Sequence, residues 1–383
     1  MSRHGLEMIR VLRPRLPEST QIAPYLRRID AAQVYSNFGP LLLEFEARLA
    51  ALFGVGPRDI SCVSNGTLAL SLALKAQSPP RGSLCLMPSW TFAATAHAVL
   101  VNELIPYFVD VRPETWAIDP DLARDALRAA PGRIGAIVPV VPFGCPFDYA
   151  AWDRFAAETG IAIAIDAAAG FDTAEPGQVP LALSMHATKC FGIGEGGVVL
   201  SRDAALVKRV RQLSCFGFEP GTRDALFAAI NAKLSEYAAA VALATLDAWP
   251  YTRIGLASLA RAYAASLAAL PGVAPMPGLD GSFAGSTFNV VIGPAYAGAV
   301  EVAARLAERG IETRRWWGEG CHVQPAFADC PRGTLDVTDD LARHSLGLPF
   351  HLGLGPREIR IVIDTLAHAL VSAAPQSRYG AAG

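Results

Sequence analysis

Between residues 59 and 201, seven short apolar runs alternate with stretches of helical character, and this alternation restricts the fold more than any other feature of the chain. The runs cover residues 59–63, 83–87, 105–109, 134–141, 161–166, 181–186 and 197–201. Helical stretches fall between them at 67–76, 92–102, 120–129 and 149–159. Strands that are apolar on both faces and separated by helices predict a parallel sheet covered on both sides, an α/β architecture. Ligands of such sheets bind beyond the carboxyl ends of the strands, so residues that directly follow a run are site candidates. After residue 201 the pattern becomes helical at 204–214 and 234–249, and Pro250 is expected to end that second helix. A smaller α+β unit follows, with helices expected near 256–270, 298–309 and 356–373 and strands near 286–292 and 311–316. A chain of 383 residues exceeds what one core usually serves. The expected division is an N-terminal arm at 1–30, a large domain at 31–250 and a small C-terminal domain at 251–383, with the tail from Pro375 frayed.

Composition excludes several classes. The formal net charge is -2 and no basic stripe occurs, so nucleic acid is not an expected partner. Although 52% of residues are hydrophobic, Pro, Gly, Asp or His interrupts every long apolar stretch. None reaches the roughly 20 residues of a spanning helix, so no membrane association is expected. The start of the chain carries Arg3, Glu7, Arg10, Arg13 and Arg15 without an apolar core, unlike a signal peptide. Seven cysteines without a CxxC pair point to a reducing, cytoplasmic setting and to no metal site.

Only four of the 33 basic residues are lysines: Lys75, Lys189, Lys208 and Lys233. Arginine stays protonated and cannot form a Schiff base, so imine chemistry would have few candidates here. Lys75 lies near a helix end, Lys208 on a charged helical face, and Lys233 at a helix start. Lys189 alone follows a strand and precedes a glycine-rich stretch, in SMHATKCFGIGEGG. Desolvation there would make its amine nucleophilic, although a lone lysine near glycines is more often a surface residue. Asp166 ends the run IAIAID, one crossover and one strand before Lys189, so both residues can reach one sheet edge. Its plain alternative is a strand-end Asp that caps a turn. In SNGTLAL, Gly66 and Thr67 open a helix after a strand. That place suits phosphate binding and simple helix capping equally.

Five strings occur in a fixed order: SNGTLALSLAL, PSWTFAATAHAVL, IDAAAG, SMHATKCFGIGEGG and INAKLSEYAAAVAL. Together they resemble the DegT/DnrJ/StrS family of sugar aminotransferases, which belongs to the fold-type-I pyridoxal-phosphate (PLP) superfamily. The resemblance runs from Tyr35, in YSNFGPLLLEFEARLAALFGV, to WWGEGCHVQPAF and LARHSLGLPFHLGL. It implies a mainly parallel seven-stranded sheet with helices on both faces and a smaller α+β C-terminal domain. The HATK and NAKLSEY forms are most similar to the branch that aminates C4 of a nucleotide-linked 4-keto-6-deoxyhexose.

The resemblance also implies roles. Lys189 would anchor PLP and shuttle the proton, and Asp166 would pair with the pyridine nitrogen. Phe92 would stack on the ring. Gly66, Thr67 and Ser184 would hold the phosphate, with Leu68 adding its backbone N–H. Asn231 would reach the phosphate in a neighbouring subunit, which implies a homodimer with composite sites. Tyr35, Asn37 and His322 would lie near the substrate. An amino acid, L-glutamate by resemblance, would supply the amino group to a nucleotide sugar. Three departures stand out: Ala169 where the family has Gln or His, a short stretch between Gly170 and Ser184, and Ala238 in place of a common His. Three alternatives remain on this reading: a sugar 3-aminotransferase, a PLP-dependent sugar dehydratase of the same fold, and a PLP-binding regulatory protein without catalysis. Lys189 opposes the dehydratase, because those relatives carry histidine at that position.

Overall fold

The computed structural model describes residues 8–219 and 221–371. Arg3, Glu7 and the tail from Pro375 lie outside the described residues. The chain begins with α1 (Ser19–Ala32) and α2 (Pro40–Leu52). It then alternates through β1 (Ile60–Val63), α3 (Gly66–Ala76), β2 (Leu84–Pro88), α4 (Ala93–Leu100), β3 (Ile105–Val109), α5 (Pro120–Ala129), β4 (Ile134–Ile137) and α6 (Tyr149–Thr159). The fifth strand comes in two pieces, β5 (Ala162–Ile163) and β6 (Ile165–Asp166), followed by β7 (Leu181–Ser184), β8 (Gly197–Leu200) and α7 (Ala204–Leu213).

Ladder pairing runs β3-β2-β4-β5 on one side and β6-β7-β8-β1 on the other. Because only Ala164 separates β5 from β6, and Asp166 N–H continues the ladder to Pro139 O at 2.9 Å, these form one seven-stranded sheet. All its pairings are parallel except those of β8, which runs antiparallel to both β1 and β7. Strands β1, β2, β7 and β8 are buried along their whole length, as their unbroken apolar sequences require. Glu236 ties the start of this domain to a distant helix. It is buried, and it accepts the N–H groups of Leu41 and Leu42 at 2.8 and 2.9 Å, the free donors at the start of α2.

Two expectations fail. The helix that was to end at Pro250 continues as α8 from Glu236 to Leu267, with Pro250 inside it. Proline removes one N–H and crowds one carbonyl, but the buried face on either side of it (Leu243, Leu246 and Trp249, then Leu256, Leu259 and Tyr263) holds the axis together. Beyond it, β9 (Val273–Pro275), β10 (Phe288–Ile292), α9 (Ala299–Glu308), α10 (Asp336–His344), β11 (Ser345–Leu348) and α11 (Pro356–Val371) build a three-stranded antiparallel sheet with flanking helices. The strand expected at 311–316 survives only as bridges, Ile9 with Ile311 and Arg314 with Gly347. No helix among the described residues is long and apolar enough to cross a membrane.

Candidate active site

A cavity of about 980 Å³ opens at the carboxyl edge of the large sheet and extends to the small unit. Asp166 and Lys189 both border it. Asp166 ends β6, and its carboxylate is buried. Its Oδ2 accepts the Thr95 hydroxyl at 2.7 Å, and its Oδ1 accepts the Ala168 N–H at 3.1 Å. Thr95 Oγ1 also stands 2.8 Å from Thr91 Oγ1. Since Thr95 spends its proton on the carboxylate, Thr91 must donate to Thr95. Burial raises the Asp166 pKa, while Thr95, Ala168 and the nearby Lys189 charge oppose that rise.

Lys189 sits in a tight turn after β7, where its N–H bonds to His186 O at 2.9 Å. The next N–H, of Cys190, bonds to Ser286 Oγ at 2.8 Å, which pins the turn to the small unit. Burial lowers the Lys189 pKa, and the Asp166 carboxylate opposes that shift. The balance leaves more free amine near neutral pH than an exposed lysine would have, which suits a nucleophile.

The third group is the start of α3. Asn65 Oδ1 caps this helix by accepting the Leu68 N–H at 2.9 Å. Leu68's donor is thereby engaged, and the N–H groups of Gly66 and Thr67, which no helical carbonyl can reach, remain for a ligand. Gly66 is needed for close approach, because a Cβ there would fall 2.6 Å from Ser184 Cβ. Ser184 ends β7 and also borders the cavity. Two N–H groups, the Ser184 hydroxyl and the helix dipole therefore converge on one spot. The ring of Phe92 at the start of α4 is 63% exposed and forms part of the lip.

The remaining predicted residues do not border this cavity. Tyr35 stacks on Tyr237 with ring centroids 6.2 Å apart, and Asn37 turns the chain with φ 62°. Asn231 is exposed and accepts from Lys233 Nζ at 2.5 Å. His322 lies behind the site, with its Nδ1 2.7 Å from Ser89 Oγ and its Nε2 3.7 Å from Asp339. Burial lowers its pKa.

Of the departures, Ala169 borders the cavity and presents only a methyl group. The short stretch after Gly170 is tied down by Asp172, which pairs with Arg253 at 2.6 Å and accepts the Ala284 N–H at 2.8 Å. Sequence reasoning passed over Thr95, Phe143, Arg314, Trp316 and Trp317. All but Thr95 border the cavity. The adjacent tryptophans were a usable signal, since the chain has only six.

A buried lysine amine and a buried carboxylate on one sheet edge, with anion donors beside them, meet the needs of bound PLP: a covalent anchor, a partner for the ring nitrogen and a phosphate cradle. The fold and this site define a PLP-dependent transferase. The chain belongs to the DegT/DnrJ/EryC1/StrS aminotransferase family, whose profile matches residues 18–367, and its members are PLP-dependent sugar aminotransferases. Among solved structures it is similar to DesI, determined in the presence of its TDP-sugar product, with a TM-score of 0.84 and 34% identity over 95% of this chain and 93% of that one. It is 28% identical to dTDP-4-amino-4,6-dideoxy-D-glucose transaminase of Escherichia coli, covering 94% of this chain and 97% of the other. Identity is also 28% to UDP-2-acetamido-2-deoxy-3-oxo-D-glucuronate aminotransferase of Pseudomonas aeruginosa, over 86% of this chain and 91% of that enzyme.

Proposed function

We propose that this sugar aminotransferase moves the amino group of L-glutamate to C4 of a dTDP-linked 4-keto-6-deoxyhexose. The observation that carries the transfer chemistry is the pair at the cavity floor, a depressed Lys189 amine beside a buried, hydroxyl-supported Asp166. Likeness to the E. coli transaminase supports C4 as the position, and likeness to DesI supports a TDP-linked sugar. Likeness to the P. aeruginosa enzyme supports C3 as the second reading.

When bound, PLP supplies an electrophilic carbonyl and an electron sink. Lys189 Nζ would anchor it and would serve as base toward the donor carbon and as acid toward the sugar carbon. Asp166 Oδ atoms hold a proton on the ring nitrogen. Gly66, Thr67 and Ser184 would hold the phosphate, and Phe92 would offer its aromatic face to the ring. Ala169 would offer a bound cofactor only a methyl group, with no hydrogen-bond donor from its side chain. Asn231 is exposed and does not border its own cavity, which fits a role in a partner's site. The neighbouring apolar surface, with Phe216 45%, Leu226 53% and Tyr237 50% exposed, offers the homodimer its contact.

The test is a two-stage assay. Purified protein with glutamate should convert its bound cofactor to the amine form and release 2-oxoglutarate. That form is then offered 3-keto and 4-keto nucleotide sugars. Turnover of the 4-keto-6-deoxy substrate at least tenfold above the others is expected. A preference for a 3-keto sugar selects the second reading, and no amine transfer to any sugar rejects both.

A further inference from the structure

The cavity takes acidic side chains from Asp166 and Glu195 and basic ones from Lys189 and Arg314. Lys189 is committed to the cofactor. Both substrates of the proposed reaction are anions away from the reacting atom: an amino acid with its carboxylates and a sugar with its diphosphate. Of the other basic groups on the cavity wall among the described residues, His186 faces Glu195 at 3.7 Å, which leaves Arg314 as the permanent cation for those anions.

Its surroundings are consistent with that duty. The Arg314 backbone is held on both sides by Gly347, with N–H to O distances of 3.0 and 2.8 Å. Two residues along the same extended face, the Trp316 ring lies under the guanidinium, 5.1 Å from centroid to Cζ. The guanidinium has no carboxylate or carbonyl partner among the described residues. Its neighbour Glu312 is engaged elsewhere, accepting the Val11 N–H at 3.1 Å. The adjacent Arg315 shows the contrast, for it bonds the Ala342 carbonyl at 2.9 Å and serves the small unit itself. Trp316 is a fixed shelf. Its Nε1 is buried, and Gly347 makes room for it, since a Cβ there would meet Nε1 at 2.1 Å.

Register places this cation within reach of the floor. Arg314 pairs with Gly347, and Gly347 pairs with Asn289 on β10. Two strand spacings of roughly 4.8 Å separate Arg314 from β10, whose preceding residues Ser286 and Thr287 border the cavity, with Ser286 bonded to the residue after Lys189. We infer that Arg314, shelved on Trp316, is the anion-recognition residue of this cavity and binds a carboxylate or phosphate oxygen of the substrate while its reacting carbon stands at Lys189. This rests on the sugar aminotransferase reading, and it names how that site selects anionic substrates.

The experiment uses the PLP-loaded protein and three variants: Arg314→Gln, Arg314→Lys and Gly347→Ala. Each half-reaction is measured separately, glutamate in one and the keto sugar nucleotide in the other. Binding of glutarate and of dTDP is followed by calorimetry. Arg314→Gln should raise KM by about tenfold or more in at least one half-reaction, as loss of a charge-assisted bond implies, with kcat changed little. The inhibitor that loses affinity in parallel identifies the anion as carboxylate or diphosphate. Arg314→Lys should recover part of the loss. Gly347→Ala should give a smaller rise, because it tilts the shelf and keeps the charge. Unchanged KM values and unchanged inhibitor binding in Arg314→Gln would overturn the inference while wild-type turnover leaves the proposed function standing. Wild-type protein that converts neither substrate would instead sink the proposed function.

Discussion

The floor and the rim of the cavity are built on opposite principles. At the floor, Asp166 has a donor on each oxygen, and the Lys189 turn is pinned by His186 and Ser286. There, both Asp166 oxygens and the backbone of the Lys189 turn answer to groups of the same chain. At the rim, Phe92 is 63% exposed and Arg314 holds only an aromatic face, while Asn231, outside this cavity, is exposed. A buried polar group without a partner is costly, so the floor must be complete on folding. Exposed groups carry no such penalty and can wait for substrate or for a second chain. The floor thus fixes the chemistry, and the rim is left free to fix which molecules reach it.

The sharpest way to break this contrast is at Lys189. Lys189→Ala should fold normally and lose activity by on the order of a thousandfold or more, because no other lysine borders the cavity. Intact mass after borohydride reduction would show an added cofactor on the wild type and none on the variant. A reduced adduct on Lys75, Lys208 or Lys233 in the variant would refute the assignment. Asp166→Asn is the next largest. It should still take up PLP yet lose about a hundredfold in turnover, since a neutral amide no longer keeps the ring nitrogen protonated. A loss below about tenfold would remove Asp166 from that role.

A prediction at an exposed residue outside the cavity follows, of intermediate size. Asn231→Asp places a carboxylate where a partner's phosphate is expected and should weaken activity by about tenfold or more as a homodimer. Mixed with Lys189→Ala under subunit exchange, it should regain activity, because one site in each mixed dimer pairs an intact Lys189 with an intact Asn231. Random exchange predicts about a quarter of the wild-type sites. No recovery despite proven exchange would mean that each chain completes its own site.

The same contrast explains how much could be read from the amino-acid order. Seven strands, their sequence and the strand-end position of Asp166 were legible because a strand buried on both faces has to be apolar throughout. The antiparallel course of β8 was not, since direction leaves no mark on an apolar run such as Gly197–Leu200. Pro250 misled because a local helix breaker was outweighed by apolar packing along both halves of α8. Of the site, Lys189, Asp166, Gly66, Thr67, Ser184 and Phe92 meet in one cavity. Thr95 went unnoticed because it meets Asp166 across 71 residues of sequence through a hydroxyl that no periodicity marks. Trp316 and Arg314 line the wall through a strand too short to be laddered, so the expected run at 311–316 gave no hint of which face it presents.

The smallest effect predicted tests whether the floor's completeness matters to chemistry or only to folding. Thr95→Val keeps the side-chain shape and removes the donor at 2.7 Å from Asp166. Burial already raises the Asp166 pKa, and Thr95 opposes that rise, so removing the hydroxyl should raise it further. Asp166 has to be ionised to pair with a protonated ring nitrogen, and its ionised fraction grows with pH. The acid limb of the kcat profile should therefore move to higher pH. A hydrogen bond to a charged group is worth about 1.5–3 kcal/mol, so a displacement of about one to two pH units is expected. Activity should fall several-fold on the acid side and approach the wild-type value as pH rises past the displaced limb. Thr95→Ser restores the donor and should restore the profile, whereas a purely structural defect would lower melting temperature and leave the limb in place. If Thr95→Val and Thr95→Ser share one profile with the wild type, the threonine pair serves packing alone, and Asp166 owes its ionisation to Lys189 and Ala168.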